Sequence, residues 1–155
     1  MCYNIVMKNF NVTEHFSFHE LTTTNHLEYL MQNDIEAVPY IINMYNFLTN
    51  VVEPIRTFFD TPFRVTSGFR CEGLNRIVGG KDDSLHTKGK ALDFTIKGLN
   101  WERYGDVCNY IYITRKFVFG KLIREIKNGK IWIHIQDGKE GLYFDGVNGK
   151  DIQVK

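Results

Sequence analysis

FGKLIREIKNGKIWIHIQ, residues 119–136, holds two β-rich runs around Asn128-Gly129. An Asn-Gly pair between alternating apolar residues is the strongest short-range hairpin signal, because both residues tolerate the positive φ of a tight turn. A two-residue turn there pairs Lys127 with Lys130. Counting outward sets Glu125 opposite Trp132 and Ile123 opposite His134. Side chains two apart on a strand share a face. Glu125 and His134 are therefore diagonal neighbours, about 7–8 Å apart.

Outward from this hairpin, PFRVTSGF (62–69) and KALDFTI (90–96) read as strands, and GLYFDG (141–146) as a further one. Val38, Ile41, Ile42, Tyr45, Leu48, Val52, Ile55 and Phe59 recur at helical spacing, which predicts one long amphipathic helix. Pro39 suits its first turn and Pro54 should kink it near the end. Short helices are expected within 13–25 and 71–78, and a longer one at 100–114 despite Gly105. Helices come first and strands cluster late. That order predicts an α+β fold, an antiparallel sheet with helices packed on one face. The whole chain, 1–155, reads as a single domain, with 1–15 a loosely ordered lead-in and 147–155 a tail.

The chain has 155 residues, enough for one domain with a real core. Its net charge of +1 gives no electrostatic case for nucleic acid or an anionic membrane as partner. No apolar run approaches the ~20 residues of a membrane span. The N-terminus lacks the long apolar core of a signal peptide, so the expected location starts in the cytoplasm. Cys2, Cys71 and Cys108 form no CxxC pair and read as three unpaired thiols, suited to a reducing compartment.

SLHTKGKALDF, residues 84–94, carries the chemistry. Imidazole and carboxylate are both ordinary zinc ligands, and a catalytic zinc takes three protein ligands and leaves a fourth position open. His86 falls in a loop and Asp93 on the strand that follows. Gly89 and Ala91 keep bulk away, so the loop can fold back, and Ser84 can hydrogen-bond within it. His134 on its alternating strand is the candidate third ligand, and Glu125 beside it a candidate general base. Arg70, just after a glycine turn, is of the type used for bidentate carboxylate capture. Taken singly, each of these residues is as compatible with an ordinary surface or core position.

Together they resemble a family. SGFRCEGLN (67–75), VGG (78–80), SLHTKGKALDF (84–94) and WIHI (132–135) are similar to the zinc D-alanyl-D-alanine carboxypeptidases and the L-alanyl-D-glutamate endopeptidases of phage lysins. HFSFHEL (15–21) and VVEPIRTFFDTPFRVTSGFR (51–70) look like the phage-type branch, and the resemblance spans roughly Phe16 to Gln136. It implies Zn²⁺ held by His86, Asp93 and His134 on the sheet, with Arg70 orienting the substrate and Ser84 and Asn75 in support. Trp132, which should share a face with the zinc, would either wall the substrate groove or pack against its neighbours. Several members carry a catalytic acid two or three residues before the last histidine, where this chain has Trp132 and Ile131. The phage-type L-I-x-E matches LIRE here, and the hairpin count places Glu125 on the face of His134. Glu125 is therefore the expected base.

The expected function is a zinc peptidase cutting the stem peptide of bacterial peptidoglycan, phage-encoded as a lysin or virion component, acting as a monomer. As a lysin it would wait in the host cytoplasm for holin-assisted release. The competing reading is a non-catalytic wall-binding or virion module that keeps zinc on the same fold. Three zinc ligands rather than four argue against a purely structural site.

Overall fold

The computed structural model describes residues 9–154. Six strands form one sheet in the order β1-β2-β4-β3-β5-β6: β1 Phe63–Ser67, β2 Ala91–Ile96, β3 Lys121–Lys127, β4 Lys130–Gln136, β5 Leu142–Val147 and β6 Lys150–Gln153. The β3–β4 hairpin has the register expected from its turn, Lys127 with Lys130, Glu125 with Trp132 and Ile123 with His134. Asn128 and Gly129 sit at φ 51° and 73°, the doubly positive turn that matches strand twist.

Two faces follow from this register. Leu92, Phe94, Ile133, Ile135, Leu122 and Tyr143 point one way and are buried under helices. Asp93, His134, Trp132 and Glu125 point the other. The helices are α1 Phe18–Thr22, α2 Leu30–Ala37, α3 Ile41–Phe47, α4 Glu53–Phe59, α5 Glu72–Ile77 and α6 Trp101–Thr114. α6 crosses the apolar face at Gly105, where a Cβ would come within 2.3 Å of Arg124 Nη1. That explains a glycine in mid-helix. Phe47, Leu48, Val51, Val52 and Ile55 join the same core.

The structure corrects four expectations. The sheet is not wholly antiparallel, because β3 and β5 run parallel. The connection from β4 to β5 hops over the start of β3 in the five residues 137–141. Gly120 makes this possible: a Cβ there would lie 2.3 Å from the Asp137 carbonyl oxygen. Second, the expected helix runs unbroken from Val38 to Phe59 but changes pitch along its length. A wide π-turn spans Leu48–Val52, and 3-10 turns occupy Leu27–Tyr29 and Val38–Tyr40. Pro54 has no N–H to donate to the preceding turn, and the π-turn absorbs that lost bond.

Third, the expected tail carries a turn and a strand within its described residues, 147–154. Asn148-Gly149, at φ 49° and 80°, turns the chain into β6, which pairs with β5. Fourth, the described part of the lead-in is fastened. Phe18 N–H donates to Phe10 O, and Thr13 and His15 both bond the Glu53 carboxylate. The rest of the lead-in, Met1 to Lys8, and with it Cys2, falls outside the described residues. Cys71 and Cys108 are free and buried, as expected of unpaired thiols. Among the described residues, no helix is long and apolar enough to cross a membrane.

Candidate metal centre and cleft

A 3-10 turn, Leu85–Lys88, carries His86 onto the polar face of the sheet and ends in Gly89. The ring is almost fully buried, and its Nδ1 lies 2.6 Å from the Gly68 carbonyl oxygen. A carbonyl only accepts, so Nδ1 carries the proton and Nε2 is left with its lone pair. Asp93 and His134 are direct cross-strand partners on β2 and β4. His134 Nε2 faces Gln136 Oε1 at 3.1 Å; with that N–H donating, Nδ1 is the nitrogen turned to the cluster.

The three donor atoms converge. His86 Nε2 is 3.3 Å from Asp93 Oδ1 and 3.3 Å from His134 Nδ1, and Asp93 Oδ1 is 2.8 Å from His134 Nδ1. Donors on a tetrahedral zinc with bonds of about 2.0–2.1 Å lie roughly 3.3 Å apart. The triangle therefore fits such an ion, and each histidine has its other nitrogen tied by an acceptor. Burial holds the His86 imidazole below its ordinary pKa, which keeps it neutral and ligand-ready. Burial alone would raise Asp93, but the two histidines hold it as a carboxylate far below the usual range. Burial would likewise lower His134, yet its bond to Asp93 lifts it. Asp93 thus draws positive charge to this point, a demand that a dication also meets.

A cleft of about 780 Å³ opens over the triad, walled by Arg70, Ser84, Glu125 and Trp132. Glu125 is pushed up to about 7, first by burial and then by the charges of Asp93 and Asp151. His134 and the Trp132 indole pull the other way. Gly146 on β5 leaves room for Glu125, since a Cβ there would lie 3.0 Å from Glu125 Cγ.

Arg70 leaves β1 beside a register shift between Val65 and Ser67. Its backbone N–H bonds the His86 carbonyl at 3.2 Å, so the two residues move as one. Its Nε is buried without a partner. Burial lowers its pKa, opposed by the charges of Asp93 and Glu125.

Most of the expected site residues meet here. Ser84 lines the cleft and ties the His86 turn through backbone groups, its carbonyl accepting from Thr87. Asn75 is buried off the cleft wall, where its Nδ2 donates to Lys81 O at 2.8 Å and holds the turn under the rim. Three contributors escaped the sequence reading. Gln136 orients His134 and stands two residues on along the same face, so strand alternation could have found it. Asp151 reaches the cleft from β6, behind a second Asn-Gly turn. Asn33 bonds Thr22 O, Phe69 O and Cys71 N, and so brackets Arg70 from α2. A lone asparagine on a buried helical stripe carried no signal for that.

A second hollow of about 300 Å³ adjoins the first and shares Arg70, Asp93, Val78 and Trp132 with it. Thr23, Thr24, Asn25 and His26 form its outer side.

The sequence pattern of Peptidase M15 matches residues 14–136, most of the chain, and covers the whole triad. The chain belongs to the Peptidase M15 family. Membership in Peptidase M15, together with the His-Asp-His cluster, supports a zinc metallopeptidase. β5 and β6, with Asp151, lie beyond the matched stretch. No curated protein matches the chain.

Proposed function

We propose that this protein is a zinc peptidase that hydrolyses a peptide bond within the stem peptide of bacterial peptidoglycan. The observation that carries the reading is the donor triangle of His86, Asp93 and His134 at the floor of an open cleft, inside a Peptidase M15 chain. His86 Nε2, Asp93 Oδ1 and His134 Nδ1 would hold the ion. Zinc, when bound, supplies a Lewis acid for the peptide carbonyl and acidifies water beside it.

The chain's own groups do the rest. Glu125, poised near neutrality, takes a proton from the attacking water and passes it to the leaving amine. Arg70, which lines both hollows, offers its guanidinium to a substrate carboxylate or carbonyl. Trp132 stands between the two hollows and packs against the peptide. Because space continues on both sides of Asp93 and Trp132, the groove suits cleavage inside a chain better than removal of a terminal residue. The likeness to phage-type enzymes supports a lysin or virion-associated setting.

The test is digestion of purified peptidoglycan by the zinc-loaded protein, with fragments read by mass spectrometry. Released stem peptides are expected. Free alanine as sole product would make it a carboxypeptidase. One zinc bound per chain with no products would favour the non-catalytic module.

A further inference from the structure

The helical segment from Leu27 to Tyr45 has two apolar sides. Asn33, Ala37, Met44 and Phe47 keep helical spacing across the Val38–Tyr40 turn and face the interior. Leu27, Met31, Ile35, Val38, Ile42 and Tyr45 form the opposite side and lie in water, from 43% exposed at Val38 to 75% at Leu27. From Met31 onward their spacing is four, three, four, three, the seam of paired helices. A helix needs one apolar side to join a fold. The second side has no use within the described residues.

We propose that this stripe pairs with the same stripe of a second copy, in antiparallel fashion about Val38. The six side chains leave on the order of 700 Å² in water, close to the ~800 Å² each partner gives a standard interface and above the largest patch of an ordinary monomer. The two-fold arrangement is self-complementary: Val38 meets Val38, Ile35 meets Ile42, and Met31 meets Tyr45. Charge selects the direction. The segment from Asn9 to Ile55 contains no Lys or Arg, and within the stripe's own stretch the acids Glu28 and Asp34 lie before Val38. A parallel pair would set these acids against their own copies. The antiparallel pair sets them against the half after Val38, which carries no acid before Glu53. The acids also disfavour an anionic membrane as the cover. On this proposal the zinc-loaded chain associates as a dimer.

Sedimentation of the zinc-loaded full chain tests this. Twice the chain mass is expected at roughly 100 μM, and a chain that stays single at that concentration overturns the proposal. Both Ile35→Glu and Ile42→Glu change exposed positions and should fold; each is expected to weaken association at least about 100-fold while zinc content stays unchanged. A dimer that survives both substitutions is held by another face. Direction is read by cysteine cross-linking in a Cys2→Ser background. Val38→Cys should join to itself under mild oxidation, and Ile42→Cys should not. Self-linking at both positions overturns the antiparallel pairing. A single chain whose stripe is protected from hydrogen exchange is covered from within, which overturns the second copy.

Discussion

Arg124 and Arg70 lie on opposite sides of one sheet. Arg124 points from β3 toward the helices, and every part of it is matched. Its Nε and Nη2 bond the Asp145 carboxylate at 2.9 and 2.6 Å, Nη1 bonds Trp101 O, and the guanidinium lies 3.9 Å above the Trp101 ring. Arg70 is also largely buried, yet its Nε has no partner and its nearest charges are carboxylates across a cleft. A buried polar group left unmatched costs stability, roughly 1–3 kcal/mol. Asp34 Oδ1 and Asn75 Oδ1 are also buried without a partner, away from the cleft; among these three residues Arg70 alone lines it, where a substrate can bind. The same contrast separates Asp145, fully paired, from Glu125, pushed up to about 7 by burial and its acidic neighbours.

If the open face is the reactive one, changes there should remove chemistry and leave the fold. The largest effect is expected for His134→Ala. It removes one corner of the donor triangle, so zinc content measured by mass spectrometry should fall to background and hydrolysis by at least about 10³-fold. Stoichiometric zinc in that variant would sink the ligand assignment. Next comes Glu125→Gln, which keeps size and one acceptor oxygen but cannot take a proton. Zinc should stay and kcat should drop about 10²–10⁴-fold. The wild-type rate should fall on the acid side as Glu125 gains its proton. That limb lies at or below about 7, because a bound dication favours the carboxylate. A wild-type rate in the glutamine variant would remove Glu125 as base.

The two arginines give the middle of the scale. Arg70→Gln should weaken kcat/KM by roughly 10–100-fold, the value of a lost charge-assisted hydrogen bond, with little change in Tm. Arg124→Gln should do the reverse. It strands Asp145, so stability should fall by about 2–3 kcal/mol and Tm by roughly 5–8 °C, with kcat per folded molecule unchanged. If both arginines behave alike, the division of labour between the faces is wrong.

How much of this was legible in advance follows the range of the forces involved. The β3–β4 register was readable to the residue because an Asn-Gly turn fixes it locally, and with it the nearness of Glu125 to His134. The pairing of Asp93 with His134 was not readable, since β2 and β4 are far apart in sequence. There the likeness of SLHTKGKALDF to known zinc sites supplied what spacing could not. The parallel β5 depended on a close approach over Gly120, which no local pattern announces. Asp151 was missed for a different reason. Asn148-Gly149 repeats the signal that fixed the first hairpin, but the run after it, KDIQ, has no alternating apolar partner to mark a strand. Arg70's bracket by Asn33 was hidden because an asparagine's three bonds exist only once α1, α2 and the cleft wall have met.

The smallest effect is the most specific to the comparison. In zinc-free protein, Glu125 sits near 7 in the fold against an ordinary 4.5. An acid whose folded pKa is raised binds more protons folded than unfolded between those values. Stability therefore declines as pH rises through that window, and the penalty is complete above about 7. Glu125→Gln mimics the protonated acid at every pH. The chelated variant should match the wild type near pH 4 and exceed it at pH 8. The gain should be on the order of 1–2 kcal/mol once allowance is made for water reaching the carboxylate. His86 and Asp93 are common to the two proteins and largely cancel in the difference, whereas His134, lifted in part by the Glu125 charge, titrates together with it and is part of what is read. Chemical denaturation of both, across that pH range, reads it directly. A gain that is independent of pH would mean that glutamine simply packs better. A gain that grows toward pH 8 would mean that the carboxylate is held at a cost, as the unmatched Arg70 is, on the face that does the chemistry.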